Sequence, residues 1–208
     1  PPNLTPVSKL VFKKIDISDF DIIISCGRKS VIPSIYLKKS SKKKVFNIHI
    51  QDPKVSLGNF DLVIAPEHDN LRGKNVITSK GAIHYLTLDE IKNNHNYLSN
   101  RLNKNHEYLL LVLGGPNKYY DYEDQNLINI FSIIKKILNK NNLQAIVIPS
   151  MRTPKKIINL ADEHLGPENL VINNIDKKAY LSGLSLAKYI VVTCDSTSMI
   201  SEAALTGK

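Results

Sequence analysis

The sequence is poor in cysteine and has no long apolar run, and each absence argues against a class of protein. Its 208 residues include only two cysteines, Cys26 and Cys194, which lie far apart in the chain. We therefore expect no disulfide framework and a reducing compartment. No apolar segment approaches the roughly 18 residues that span a bilayer, and no signal-peptide pattern opens the chain. These features predict a soluble, cytoplasmic protein.

Several catalytic and binding motifs are also missing. The six histidines lack metal-ligand spacing and the cysteines are isolated, so we expect no metal ion and no cofactor. Neither a Gly-x-Ser-x-Gly elbow nor a catalytic-cysteine signature is present, which removes support for a hydrolase. No recognition module accompanies the basic charge, so nucleic acid is not an expected partner.

Acidic residues are fewer than basic ones, and the imbalance favours an anionic partner. The chain has 28 Lys and Arg against 19 Asp and Glu, a formal net charge of +9. Much of the excess lies in a lysine cluster at 38–44, and charge runs of this kind are usually only solvated surface. A nucleotide and peripheral contact at the inner face of a membrane both remain open as partners.

Short apolar runs alternate with longer helical patterns along the chain, which predicts an α/β fold with mainly parallel sheets. Predicted strands occupy 21–26, 45–50, 60–65, 75–78, 108–113, 144–149, 169–173 and 189–193. Predicted helices occupy 29–39, 87–101, 124–139, 153–164, 176–187 and 196–206. In the segment 124–139, apolar residues recur every three or four positions and predict one continuous apolar stripe.

A polar stretch at 90–107 marks the expected domain boundary. It gives two Rossmann-like α/β/α halves, 1–104 and 105–208, each repeating strand, polar loop and helix. Neither half has the full strand complement of a doubly wound domain, so we expect a chain that is incomplete at its termini. The sequence leaves the oligomeric state open.

The loops that follow predicted strands of the second half carry candidate phosphate ligands, because ligands of parallel sheets bind at the carboxyl ends of strands. Gly114 and Gly115 follow the first strand, where they either admit a phosphate to the backbone or form a tight turn. Arg152 precedes a predicted helix with Thr153 as its N-cap. This pair either binds an anion or simply caps the helix.

A third loop of the same half is rich in hydroxyl groups. Asp195, Ser196, Thr197 and Ser198 open the last predicted helix, a pattern typical of an anion site at a helix N-terminus. Glu202 lies four residues after Ser198, on the same side of that helix, where it suits a ribose diol. The competing interpretation is an ordinary N-cap followed by a solvated glutamate.

The first half offers candidates of a different kind. Gly27 and Arg28 follow its first predicted strand and suit an anion or the facing half. His68 and Asp69 follow its third strand, where a carboxylate can orient an imidazole as a catalytic acid or base. Hydrogen bonding within the loop is the alternative role for this pair.

Taken in order, six segments resemble one known family. They are SCGRKSVIPSIYLKK, QDP, FDLVIAPEHDNLRGKNVITSKGAIH, LGGPNKYY, PSMRTP and VVTCDSTSMISEAALTGK. This set is similar to the bacterial branch of the mitochondrial fission family named for plant elongated mitochondria, formerly predicted to be nucleoside-diphosphate-sugar epimerases. The resemblance runs from about residue 20 to residue 208.

The resemblance implies a GT-B-like fold of two Rossmann-like halves with a nucleotide-sugar cleft between them. It also implies that Asp195, Ser196, Thr197, Ser198 and Glu202 bind the diphosphate and ribose of the donor. Thr197 and Ser198 stand where epimerases have glycines, so hydroxyl contacts would replace close approach of the backbone.

Two functions follow as hypotheses. In the first, the protein is a glycosyltransferase-like or epimerase-like enzyme of envelope biogenesis, with a nucleoside diphosphate sugar as substrate and His68 or Asp69 as base. In the second, it is a non-catalytic GT-B-like module that binds a ligand or scaffold at a membrane surface. Turnover of a UDP-sugar, as opposed to binding alone, separates the two.

Overall fold

A computed structural model describes residues 20–208, which form two compact units. The first unit ends at Ile83 and the second runs from His84 to Lys208. The division therefore falls about twenty residues before the predicted boundary at 104. The reason is packing, because Leu86, Ile91 and Leu98 are buried in the core of the second unit. Residues 1–19 of the predicted first half lie outside the described residues.

The first unit contains a four-stranded parallel sheet, in the order β1-β2-β3-β4. Its elements are β1 (Ile22–Cys26), α1 (Val31–Ser40), β2 (Phe46–Ile50), β3 (Leu62–Pro66) and β4 (Val76–Ser79). All four strands lie within two residues of the predicted positions. Each strand enters the sheet in sequence order, so every loop at a carboxyl end opens on the same edge.

One face of this sheet is packed and the other is apolar but exposed. On the packed side, Val31, Phe60 and Val63 form the core. On the other side lie exposed apolar side chains at register-matched positions of three strands, namely Ile22, Ile24, Phe46 and Ile77. Among the described residues, the first unit therefore buries only one sheet face.

The packed face also holds a buried histidine. His49 is fully buried in β2, its Nδ1 lies 2.8 Å from the Ser25 hydroxyl, and its ring centroid is 5.1 Å from that of Phe60. Nε2 has no hydrogen-bond partner among the described residues. Burial lowers the pKa of the ring below 6.5, although the Asp52 carboxylate opposes the shift. His49 is therefore neutral in the folded unit at pH 7.

This pKa shift predicts an acid-labile first unit. Below pH 6.5 the unfolded chain binds a proton at His49 more readily than the folded chain does. The contribution of neutral His49 to the free energy of unfolding is therefore fully present above pH 6.5 and is lost as the pH falls. The free energy of unfolding should fall by at most about 1.4 kcal/mol for each pH unit, because a single group titrates. Urea unfolding followed by circular dichroism at pH 7 and pH 5.5 measures it. His49→Gln is expected to flatten the dependence, and an equal slope in both proteins would contradict the assignment.

The second unit is built on another parallel sheet, in the order β7-β6-β5-β8. Its helices are α2 (Leu88–Asn93), α3 (Asp124–Asn141), α4 (Lys155–Leu165), α5 (Lys177–Leu186) and α6 (Thr197–Ala204). Its strands are β5 (Glu107–Leu113), β6 (Leu143–Pro149), β7 (Leu170–Val171) and β8 (Tyr189–Val192). The chain builds outward from β5 to β7 and then crosses to the other side of β5. The strand order therefore reverses between β5 and β8.

Both faces of this second sheet are covered, as its continuous apolar strands predict. Alternate residues of β5 point to opposite cores: Leu109, Leu111 and Leu113 join the cluster with α3 and α4. Leu110 and Val112 join the cluster that contains residues of α2, α5 and α6. The central strands are thus rigidly held, and the loops at their carboxyl ends start from fixed positions.

Two predicted helices differ in detail from the structure. The helix predicted at 87–101 is α2 followed by two 3₁₀ turns, His95–Tyr97 and Ser99–Arg101. Helical bonding stops because the Ser182 hydroxyl donates to the carbonyl of His95 and accepts from the N–H of Leu98.

In residues 20–208, no helix combines the length and apolar character that crossing a membrane requires.

The apolar stripe predicted for α3 is narrower than expected. Leu127, Phe131, Ile134 and Leu138 are buried, and these four form the packed face of the helix. Ile130 and Ile137, predicted in the same stripe, are 48% and 43% exposed. They lie to one side of the buried row, so the helix presents a second apolar strip that its own unit leaves uncovered among the described residues.

Candidate functional site

Three loops of the second unit meet at the carboxyl edge of its sheet. They follow β5, β6 and β8, and they carry Gly114 and Gly115, Arg152, and Asp195, respectively. The loops after β5 and β8 flank the point where the strand order reverses. In open parallel sheets, such a switch point leaves a crevice between loops that turn in opposite directions, and ligands bind there.

The Asp195 carboxylate joins all three loops. Its Oδ1 accepts hydrogen bonds from the hydroxyls of Thr193 at 2.6 Å and Tyr122 at 2.5 Å. Its Oδ2 accepts from the Gly115 N–H at 3.2 Å and from the Arg152 guanidinium at 2.5 Å. We call these five residues the Asp195 cluster. The side chain of Asp195 is only 1% exposed, so the cluster shields its carboxylate almost completely from solvent.

The donors around Asp195 keep its carboxylate ionised. Burial alone would raise the pKa of this carboxyl, but hydrogen bonds from Thr193, Tyr122 and Gly115 outweigh burial and hold the pKa below its usual value. Burial and the bond to Asp195 raise the pKa of the Tyr122 hydroxyl to about 12. At neutral pH the tyrosine is therefore a donor and the aspartate an acceptor.

The two glycines of the β5 loop are required by the packing of the Asp195 cluster. A Cβ on Gly114 would lie 1.9 Å from Asp195 Oδ1, and a Cβ on Gly115 would lie 2.1 Å from the carbonyl oxygen of Arg152. Their N–H groups are also occupied, because Gly114 donates to Thr193 Oγ1 and Gly115 to Asp195. The space left by the missing side chains is therefore occupied by the Asp195 carboxylate at Gly114 and by the Arg152 carbonyl at Gly115.

Thr153 has a different local role from the predicted one. Pro154, and not Thr153, is the N-cap residue of α4, and no side chain caps this helix. The Thr153 hydroxyl instead lies 2.7 Å from the carbonyl oxygens of both Leu113 and Gly114 and accepts from the N–H of Ser150. The Leu113 carbonyl also accepts from the N–H of Ser150, so Ser150 and Thr153 together tie the β6 loop to the β5 loop.

The amino end of α6 lies next to the Asp195 cluster. Ser196 is its N-cap residue but makes no side-chain capping bond. The carbonyl of Asp195, directly before Ser196, accepts from Arg152 Nη2 at 3.3 Å. Within the part of the chain that the structure describes, the hydroxyls of Ser196, Thr197 and Ser198 form no hydrogen bond. An uncapped helix start thus lies beside a guanidinium.

Glu202 is not a freely solvated side chain. It is half-buried in α6, and its Oε2 accepts a hydrogen bond of 2.9 Å from the hydroxyl of Tyr180 in α5. Burial and the neighbouring carboxylate raise the pKa of Tyr180, so the tyrosine stays a donor at neutral pH. Glu202 is therefore partly shielded and not simply solvated, while its predicted contact with ribose stays a prediction.

The remaining predicted residues belong to the first unit. Gly27 and Arg28 lie at the end of β1, where Arg28 begins a short 3₁₀ turn. His68 and Asp69 lie in a similar turn after β3, with His68 Nε2 3.8 Å from Asp69 Oδ1. That separation is longer than a hydrogen bond, so the structure does not pair the two residues as a hydrogen-bonded acid and base. Their catalytic roles stay predictions.

Three residues around Asp195 escaped the sequence analysis. Thr193 is the last residue of a predicted strand, and a polar residue ending an apolar strand is a usable signal. Tyr122 lies in a polar loop, and its sequence context gives no hint of a buried hydroxyl. Asn117, whose Nδ2 donates to the Asp195 carbonyl at 3.3 Å, follows the two glycines and reads as an ordinary turn residue.

A cavity of about 300 Å³ opens next to the Asp195 cluster, between α3 and β8. It shares Tyr122 and Thr193 with the cluster, but most of its lining is apolar, including Leu127, Ile130 and Val191. An apolar wall offers no donors to a phosphate. Arg152, the exposed cation of the cluster, does not line this cavity.

Solved structures with the same fold include that of a UDP-GlcNAc 2-epimerase. The enzyme from Methanocaldococcus jannaschii superposes with a TM-score of 0.60 at 15% identity, over 89% of this chain and 59% of that one. The S. aureus MnaA–UDP co-structure gives 0.52 at 13% identity, over 90% and 55%. The Listeria monocytogenes protein described as a putative epimerase gives 0.53 at 12% identity, over 90% and 55%. These likenesses confirm the predicted GT-B-like α/β fold.

Similar sequences point to a family as well as a fold. The chain is 25% identical to the uncharacterized protein RP120 of Rickettsia prowazekii over 90% of its length and 63% of that protein. It is also 25% identical to the mitochondrial fission protein ELM1 of Arabidopsis thaliana, over 90% of this chain and 50% of that one. The chain thus spans half to two thirds of the length of these relatives. The family model described as "Mitochondrial fission ELM1" matches residues 3–208, so the chain belongs to that family.

Proposed function

We propose that this protein binds a nucleoside diphosphate sugar through its second unit, with Arg152 and the amino end of α6 holding the diphosphate. One observation carries the proposal: an exposed guanidinium lies beside an uncapped helix start at the point where the strand order reverses. The similarity to the structure of a UDP-GlcNAc 2-epimerase and to the MnaA–UDP co-structure supports the choice of ligand.

The chemistry of this edge suits a phosphate. Arg152 carries a permanent positive charge and has guanidinium donors that residues 84–208 leave free for phosphate oxygens, and the dipole of α6 adds positive potential at its first N–H groups. The hydroxyls of Ser196, Thr197 and Ser198 supply further neutral donors. Gly114 and Gly115 do not donate to the phosphate, because their N–H groups already donate to Thr193 and Asp195. They contribute by leaving room for Asp195 and for the main chain of Arg152.

The ribose is assigned to Glu202. A carboxylate one turn beyond a phosphate-binding helix start repels the anion but accepts readily from a diol. Tyr180 engages Oε2 of Glu202 and thereby holds the side chain in one orientation. Glu202 therefore selects a nucleotide over inorganic phosphate, which has no diol to offer.

The serine hydroxyls give a direct test of the phosphate site. We expect the double variant Ser196→Ala/Ser198→Ala to weaken UDP binding by about 1–3 kcal/mol, because hydrogen bonds to charged groups are the stronger kind. Isothermal titration calorimetry with UDP measures this change. Ser132→Ala, an exposed serine of α3, is the control and should bind like the parent. Equal affinity in the double variant and the parent would contradict the site.

Binding and catalysis need separate assays. If the protein is an enzyme, we propose glycosyl transfer or epimerisation in envelope biogenesis, with His68 or Asp69 taking the proton from the reacting hydroxyl. NMR of UDP-N-acetylglucosamine incubated with the protein distinguishes epimerisation from simple binding, and the same experiment with a hydroxyl-bearing acceptor added detects transfer through the release of UDP. Binding without turnover would favour the alternative, a GT-B-like module that has lost the reaction.

A further inference from the structure

The two oxygens of the Asp195 carboxylate have different neighbours. Oδ1 is held by the hydroxyls of Thr193 and Tyr122, which are 2.6 and 2.5 Å away. Oδ2 accepts from the N–H of Gly115 and from Arg152. Besides Arg152, the donors are a short side chain (Thr193), a backbone N–H (Gly115) and the hydroxyl of a rigid, partly buried ring (Tyr122). The carboxylate therefore cannot follow a moving arginine, and it acts as a fixed anchor.

Arg152 is attached to this anchor by only one end of its guanidinium. Nη2 donates to both the carboxylate and the carbonyl of Asp195. Nε and Nη1 form no hydrogen bond with residues 84–208, and the side chain is 46% exposed. An arginine presents five donors in a rigid plane, so anchoring Nη2 leaves the Nε and Nη1 donors in a defined direction.

We infer that Asp195 is a positioning residue, which holds Arg152 so that the remaining donors of the guanidinium meet the diphosphate of the nucleotide. The inference rests on the proposed function, and it gives Asp195 a role that differs from the ligand contact expected from the sequence. A side chain that is 1% exposed and negatively charged does not bind phosphate itself. Its effect on an anion passes through the arginine.

Positioning has an energetic reason. A free arginine side chain loses much rotational freedom when it binds a ligand, whereas a side chain that is already held in place loses less. Arg152 loses this conformational entropy when the protein folds, so little of it remains to be lost when the ligand binds. The same anchor cancels part of the positive charge, but it fixes the plane of the guanidinium and so gives the remaining Nε and Nη1 donors set directions.

Calorimetry with UDP on a double-mutant cycle tests the inference. We expect Arg152→Ala to weaken binding at least roughly tenfold, because it removes a charged donor pair. Asp195→Asn should weaken binding by roughly three- to tenfold, the cost of immobilising one long side chain. In the Arg152→Ala background, Asp195→Asn should have no further effect. A full effect of Asp195→Asn without the arginine would overturn the positioning role.

Asp176→Asn is the matched control for removing a hydrogen-bonded carboxylate from the second unit. Asp176 also accepts from a tyrosine hydroxyl, that of Tyr97 at 2.9 Å, and from a backbone N–H, that of Ala179 at 3.0 Å. It has no arginine partner in residues 84–208, so its variant should keep the parent affinity for UDP. Loss of affinity in this variant equal to that of Asp195→Asn would show a general effect of destabilisation and would overturn the inference.

A measurement without nucleotide separates this inference from the proposed function. Nitrogen-15 NMR of the arginine side chains reports whether the Arg152 guanidinium is held or rotates freely. We expect separate Nη signals in the parent and one averaged signal in Asp195→Asn. If the parent shows held signals but binds no UDP, the proposed function fails while the anchoring stands. If the signals are averaged in the parent, the positioning role itself is wrong.

Discussion

Replacing Gly114 with alanine is expected to destabilise the second unit by about 3 kcal/mol, the upper part of the range for overpacking a close-packed site. The new Cβ would stand 1.9 Å from Asp195 Oδ1, so the carboxylate must leave its four donors or β5 must shift. Either response breaks the contacts among three loops. Urea unfolding followed by circular dichroism measures the loss.

A second substitution identifies the cause of that loss. Asp195→Ala removes the group that the new methyl meets, so Gly114→Ala should cost much less in an Asp195→Ala background than alone. Gly115→Ala should gain no such relief, because its Cβ meets the main-chain oxygen of Arg152 at 2.1 Å. Gly58→Ala is the benign control, since its nearest neighbour would be 3.8 Å away. Equal costs in both backgrounds would disprove the clash with Asp195.

The second large effect is expected at the centre of the second unit. Phe131 is fully buried in α3, in the core shared by β5, β6, α3 and α4. Phe131→Ala should lower the free energy of unfolding by about 3–5 kcal/mol, because it removes buried ring surface and leaves a cavity. Thermal unfolding and urea titration both detect a change of this size.

Ile133 gives the matched control on the same helix. Its side chain is 57% exposed, and it lies on the opposite side of α3 from Phe131. Ile133→Ala should change the free energy of unfolding by only about 0.5 kcal/mol. If Ile133→Ala lowered the free energy of unfolding as much as Phe131→Ala, the side chain of Ile133 would have to be packed in solution, which would contradict this prediction.

Sequence patterns predicted the strands well because each strand is a short apolar run between polar loops. β5 and β6 lie within one residue of their predicted positions, since both of their faces are buried and their polar residues Glu107 and Gln144 lie at the amino ends, before the continuous apolar run. Residues 169–173 gave a strand of only two residues, β7, because it lies at the edge of the sheet. Edge strands have fewer partners, so their apolar content says less about their length.

The candidate site was predictable only in part. The parallel arrangement of strands placed Gly114, Arg152 and Asp195 at one edge before any coordinates were known. The roles of these residues were not predictable, because they depend on contacts between loops separated by 39–80 positions along the chain. The capping role predicted for Thr153 was wrong for this reason: sequence spacing does not show that the carbonyl oxygens of Leu113 and Gly114 lie within reach of its hydroxyl.

The close approach of Gly114 to Asp195 has an evolutionary consequence. A side chain at position 114 and a carboxylate at position 195 compete for the same space, so the two positions should covary among homologues. A homologue that has lost the aspartate is free to carry alanine or serine at position 114, whereas one that retains it should retain the glycine. Position 115 should not covary in this way, because its glycine is opposed by main-chain atoms that every residue at position 152 possesses.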